Sequence, residues 1–151
     1  MQERFIKEYE QIKKTYNFRI WNEDAKAMFY LQNRTLKDDD KWIMQYSGYR
    51  DLNKHPIFLW DFLKNKDLDV ITLVRFGDCY DKLNTGGFYG WYEEYSKNVE
   101  HVRYCHLNSV VGYSAYVIGN LFENPEILEK FDTVDLNERY LECNKIEISK
   151  E

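Results

Sequence analysis

His101, Cys105 and His106 lie close together and are of the types that ligate metals. Their spacing does not organise them for that task, and ordinary strand residues are the competing reading. No Cys-x-x-Cys partner or acidic ligand pattern surrounds them, and on an extended strand Cys105 and His106 point to opposite faces, so both reach one ion only across a local break. Asp61, Asp78, Glu93 and Glu94 could form an acid–base pair only where the fold converges them. The adjacent Glu93 and Glu94 are expected on opposite sides of a strand. The chain has no Gly-x-Ser-x-Gly, no Gly-rich phosphate loop with Lys and no His-Glu-x-x-His, and Gly86-Gly87 alone signals only a tight turn or a close backbone approach. The expectation is therefore a protein that is not an enzyme, with no catalytic residue, no metal and no cofactor. What remains is aromatic. Residues Phe88 to Tyr95 place aromatics on both alternating faces of one predicted strand, one face for the core and the other free. Tyr89, Trp91, Tyr92 and Tyr95 are the candidate interaction surface, since exposed Tyr and Trp anchor binding hot spots; the competing reading is a strand buried on both sides.

The elements that must position these residues follow from composition and pattern. A chain of 151 residues with 44% hydrophobic content can bury one core and is small for two. An aromatic content of 17% favours pleated, half-buried surfaces. No apolar run approaches the ~18 residues of a membrane span, and Glu3, Arg4, Lys7 and Glu8 stand where a signal peptide would be apolar. A cytoplasmic protein without membrane contact is expected. Cys79, Cys105 and Cys143 are odd in number and widely spaced, which predicts free thiols. Residues 1 to 54 carry 11 Lys+Arg against 9 Asp+Glu, and residues 55 to 151 carry 10 against 17, so +2 and −7 make the net −5. An acidic second half gives no footprint for a phosphate backbone, and direct nucleic-acid binding is disfavoured. It could face a basic protein surface, although solvation of an ordinary surface accounts for the same charge.

Phe5, Ile6, Tyr9 and Ile12 fall near helical spacing, so residues 3 to 15 read as an amphipathic helix whose stripe packs on its own chain, swaps onto a neighbour or docks a partner. Phe18 to Trp21 and Ala27 to Leu31 predict a hairpin around the polar turn Asn22 to Lys26. Thr35 to Lys41 reads as an exposed loop. Trp42 to Ser47 predicts a strand ended by Gly48, followed by the turn Asp51 to Lys54. Ile57 to Leu63 is apolar enough to be buried and is read as a short helical turn. Val70 to Phe76 and Phe88 to Tyr95 predict a central hairpin with a polar connection around Asp78 to Thr85. Val99 to Val111 and Tyr113 to Phe122 predict two further strands separated by Gly112. At Asn124-Pro125-Glu126, Asn is the expected cap of a short helix, with Pro at its first position and Glu at its positive end. The fold class is mainly β, with α+β character at the margins. It is a small β-sandwich or barrel of short antiparallel strands, with an N-terminal helix and a short C-terminal helix.

Three strings in this order are distinctive: Phe18-Arg19-Ile20-Trp21-Asn22 running to Met28; Met44-Gln45-Tyr46-Ser47-Gly48-Tyr49-Arg50-Asp51; and Val117-Ile118-Gly119-Asn120-Leu121-Phe122-Glu123-Asn124-Pro125-Glu126-Ile127-Leu128. Together they resemble the YopX family of small bacteriophage and prophage proteins, across roughly residues 16 to 131. Where the family typically carries Tyr-Glu-Gly-Asp-Ile-Val after the second string, this chain reads Phe58-Leu59-Trp60-Asp61-Phe62-Leu63. The resemblance implies a β-rich domain over 16–131; the N-terminal helix read from spacing occupies 1–15, and 132–151 is an extension beyond the match. It implies a phage setting in a bacterial host cell and no activity. The expected function is that of a phage accessory protein acting by macromolecular interaction, self-associating as a homo-oligomer and engaging a host or phage protein partner. Two alternatives stand beside it. One is an anti-defence inhibitor that binds a host nuclease or effector through an acidic surface; the other is a nucleic-acid- or small-ligand-binding barrel.

Overall fold

The computed structural model describes residues 2–7, 18–31, 37, 39–79, 88–99 and 102–132. Residues 3–7 are helical (α1), and Phe5 and Ile6 are exposed there, while Tyr9 and Ile12 of the predicted stripe lie outside the described residues. Among the described residues nine strands follow: β1 (Phe18–Asn22), β2 (Ala27–Leu31), β3 (Ile43–Arg50), β4 (Pro56–Phe58), β5 (Asp61–Asn65), β6 (Ile71–Cys79), β7 (Phe88–Val99), β8 (Val102–His106) and β9 (Ala115–Asn120). A short helix α2 (Val111–Ser114) precedes β9, and a 3₁₀ turn η1 (Pro125–Lys130) follows it. The strands form two antiparallel sheets, of order β2-β1-β3-β4 and β8-β7-β6-β5-β9. The fold is mainly β, as the strand spacing predicts. Among the described residues no helix is long and apolar enough to cross a membrane.

The sheets meet through side chains that alternation along each strand sends inward. Ile57 of β4 and the half-buried Tyr49 of β3 pack with Leu63 of β5, Val74 of β6, Leu107, Val111 and Ala115. On the other side of the second sheet Phe62 and Leu73 meet Ile127 of η1, with Trp60, Leu121 and Phe131 around them. Phe58, Phe62, Met44, Ile57 and Leu63 are withdrawn from water completely. Burying each such side chain contributes about 1.5–3 kcal/mol relative to leaving it exposed.

Four local expectations need correction. Ile57 to Leu63 is not helical: it is the end of β4, a two-residue corner at Leu59-Trp60, and the start of β5, where the chain leaves one sheet for the other. Trp60 adopts φ +67 to make that corner, in the left-handed region that large side chains rarely enter. Two backbone bonds hold it, Trp60 N–H donating to Val74 C=O at 2.8 Å and Leu121 N–H to Trp60 C=O at 3.0 Å. The strand begun near Trp42 does not stop at Gly48; it continues to Arg50, Gly48 taking φ +88 where the β3–β4 register shifts between Tyr46 and Arg50. Val99 to Val111 is not one strand, because Val110 N–H donates to Asn108 Oδ1 at 2.9 Å and the chain turns into α2 after His106 and Leu107.

The fourth correction concerns Asn124, whose side chain does not cap η1. Its Oδ1 instead accepts from Asn120 N–H at 3.2 Å, while Asn120 Oδ1 accepts from Phe122 and Glu123 N–H at 3.0 and 2.9 Å. Two interlocked amides thus shape the corner after β9. Gly119 is required by this arrangement: a Cβ built on it would lie 2.6 Å from Asn124 Cγ.

Candidate functional site

Alternation along β7 sends Tyr89, Trp91, Glu93 and Tyr95 to one face and Tyr92, Glu94 and Ser96 to the other. The four candidate aromatics therefore divide. Tyr92 is buried, with Arg75 over its ring at 5.7 Å and Tyr104 edge-on at 6.0 Å. Tyr89 is 71% exposed and meets Phe76 of β6, itself 45% exposed, edge to face at 5.2 Å. Phe76 also contacts Trp91 at 5.1 Å, and Trp91 packs against the core formed with Val74 and Leu63. The register explains the cluster, since Phe76 lies opposite Trp91 and Asp78 opposite Tyr89 on adjacent strands. Sequence alone did not bring Phe76 to this surface, although the predicted hairpin could have flagged it as a cross-strand neighbour.

Farther along the same face is a pocket of about 230 Å³, lined by Thr72, Glu93, Tyr95 and Cys105 together with asparagines and aliphatic side chains. Thr72 Oγ1 donates to Glu93 Oε1 at 2.8 Å. Burial pushes the Glu93 carboxyl above the usual carboxylate range, opposed by this hydrogen bond. Tyr95 is raised too, first by burial and then by the neighbouring Cys105. Cys105 is a free thiol in register with Glu93, and His106 is in register with Tyr92. His101, Cys143 and Gly86-Gly87 lie outside the described residues, as does the side chain of Cys79. Among the described residues no three His, Cys, Asp or Glu groups converge to hold a metal ion.

Of the other carboxylates singled out by type, Asp78 is exposed on this face opposite Tyr89, and Glu94 and Asp61 lie elsewhere. Glu94 is buried on the opposite one, with its Oε1 accepting from Arg75 Nη1 at 3.2 Å. Asp61 sits at the sheet-crossing corner: Phe58 N–H donates to its Oδ2 at 2.8 Å, and Arg19 Nη2 lies 2.7 Å from Oδ1, off the hydrogen-bond axis. Arg19 and Asp61 are only 3% and 1% exposed, and Arg19 also donates to Leu59 C=O at 3.2 Å and covers the Phe58 ring at 4.8 Å. Burial raises the Asp61 carboxyl to about 6, Arg19 only partly restoring it. Asp51, also buried, accepts from Asn53, His55 and Val117 N–H at 2.9, 2.8 and 2.8 Å. These are positions where charge holds sheets and turns together, not where a substrate could reach.

The three distinctive strings prove to be neighbours in space. Asp51 of the second is bonded to Val117 of the third, and Trp21 of the first stacks on Phe122 of the third at 5.7 Å. A family model described as YopX protein matches residues 31–129, about two thirds of the 151-residue chain. The match starts after the first string and covers the other two. No curated protein matches the chain.

Proposed function

This chain belongs to the YopX family, and from that premise we propose that it acts as a non-catalytic binding protein whose working surface is the Phe76–Tyr89–Trp91 face of the β6–β7 hairpin. The observation that carries the reading is the pairing of an exposed Tyr89–Phe76 contact with a Trp91 rooted in the core. A rigid, amphipathic aromatic anchor costs little conformational entropy when it is covered, which is why such residues dominate interface energetics. The partner we assign is a second copy of the chain. In a two-fold contact the same patch meets itself, and each exposed ring gains an apolar cover that the described residues do not supply. The setting that goes with this reading is that of a phage accessory protein in a bacterial cell.

Light scattering coupled to size exclusion tests it. The wild type is expected at a multiple of 18.4 kDa, and the Tyr89→Ser/Phe76→Ser variant at the monomer mass with an unchanged circular dichroism spectrum. A wild-type monomer, or an oligomer indifferent to both substitutions, rejects this face as the contact. Small-ligand binding is a second reading, favoured by the pocket beside the patch.

A further inference from the structure

We propose that the pocket bounded by Glu93, Thr72, Tyr95 and Cys105 is a recognition site for an alkylammonium or guanidinium group. The argument starts from two adjacent carboxylates with opposite circumstances. Glu94 has its cation, Arg75, at 3.2 Å. Glu93, one residue earlier on the other face, has Thr72 as its hydrogen-bond donor, and no Lys, Arg or His among the described residues forms an ion pair with it. Glu93 is half-buried, and a carboxylate partly withdrawn from water without a counter-charge carries a cost that is recovered when a cation is brought to it. The pocket gives that cation a place to sit.

The remaining lining fits such a group. Tyr95, Cys105 and Asn108 offer neutral polar atoms to the other N–H bonds of a cation, and Leu68, Val70 and Val111 offer cover to the methylenes behind it. The volume of about 230 Å³ lies below the roughly 300–1,000 Å³ of clefts for drug-sized ligands. This suits an aliphatic amine or one long basic side chain, not a nucleotide. The ionisable groups facing Glu93 within the pocket are Tyr95 and Cys105, with His106 at its exposed rim. A bound cation favours the ionised form of Glu93, so affinity falls as pH drops through its raised pKa.

The probe is agmatine, which carries an ammonium at one end and a guanidinium at the other, titrated into ¹⁵N-labelled protein beside n-butanol and a blocked Gly-Arg-Gly peptide. Saturable shifts at Thr72, Glu93 and Cys105 with agmatine and none with n-butanol are expected, weakened about tenfold or more by Glu93→Gln, the loss of one charge-assisted contact. In the wild type the ¹³C carboxyl titration of Glu93 should move to lower pH when agmatine is present, a readout that stands even if the variant folds poorly. Tighter binding of agmatine than of the peptide assigns a free small molecule as the source; the reverse assigns a partner's Arg or Lys. Absence of saturation at millimolar concentrations of both, or equal affinity in Glu93→Gln, overturns the proposal.

Discussion

Gly119 and Asn124 show how two residue choices become one. The space that a Cβ at 119 would need is filled by the Asn124 amide, 2.6 Å from Cγ and 3.0 Å from Cβ. Gly119→Ala alone should cost about 2–3 kcal/mol through overpacking. Asn124→Ala alone should cost about 1 kcal/mol, through its bond to Asn120 N–H. The double variant should be more stable than Gly119→Ala, since removing the amide frees the space. Urea unfolding of the four proteins completes the cycle, and costs that simply add would show that the close approach does not set the corner. The same pair explains why Val117 to Leu128 is so recognisable as a string: each residue answers a neighbour's hydrogen bond or volume, leaving few substitutes.

At the scale of elements, Asp51 joins the turn after β3 to β9. Its carboxylate satisfies three backbone N–H groups, and Asp51→Ala should cost about 3–5 kcal/mol because those donors lose their acceptor in a buried place. A shift in the urea midpoint measures it; a loss below about 1 kcal/mol would show that water replaces the carboxylate. Elements whose pattern is local were legible in the sequence. The β1–β2 hairpin, the β6–β7 pairing and the strand at β9 follow from alternation and turn residues. The β4–β5 corner was not legible, because a run such as Ile57-Phe58-Leu59-Trp60-Asp61-Phe62-Leu63 is apolar under either period. What decides it is a non-local event, Asp61 meeting Arg19 forty-two positions away. The aromatic strand was visible as a candidate surface, yet the division of its faces and the addition of Phe76 needed the register. The pocket was invisible for the same reason: Thr72, Glu93 and Cys105 belong to three strands.

For the molecule as a whole, the Arg19–Asp61 pair makes stability depend on pH in a direction opposite to that of most paired carboxylates. Asp61 stands at about 6 in the folded chain against the ordinary 3.8, so the folded state binds the proton more tightly than the unfolded one. Its contribution is therefore fully present below about 3.8 and is lost as pH rises through about 6. The stability of the wild type relative to Asp61→Asn should increase by on the order of 2–3 kcal/mol between about pH 7 and pH 4, because a tenfold change in proton affinity is worth about 1.4 kcal/mol. Denaturant unfolding at the two pH values checks this, and a difference that narrows on acidification would mean that Arg19 outweighs desolvation.

The ring of Phe122 has Trp21, Trp42 and Trp60 within 5.7, 5.5 and 5.8 Å of its centroid, and the chain has only four tryptophans. Three indoles thus report from the junction between β1, the corner after β4 and the turn after β9, while the fourth, Trp91, reports from the aromatic face of β7. The protein carries an intrinsic optical gauge with two channels: ultraviolet emission is weighted toward the seam between the sheets, and removal of the single indole on the hairpin leaves the seam alone, so that the difference between the two spectra is the signal of the aromatic face.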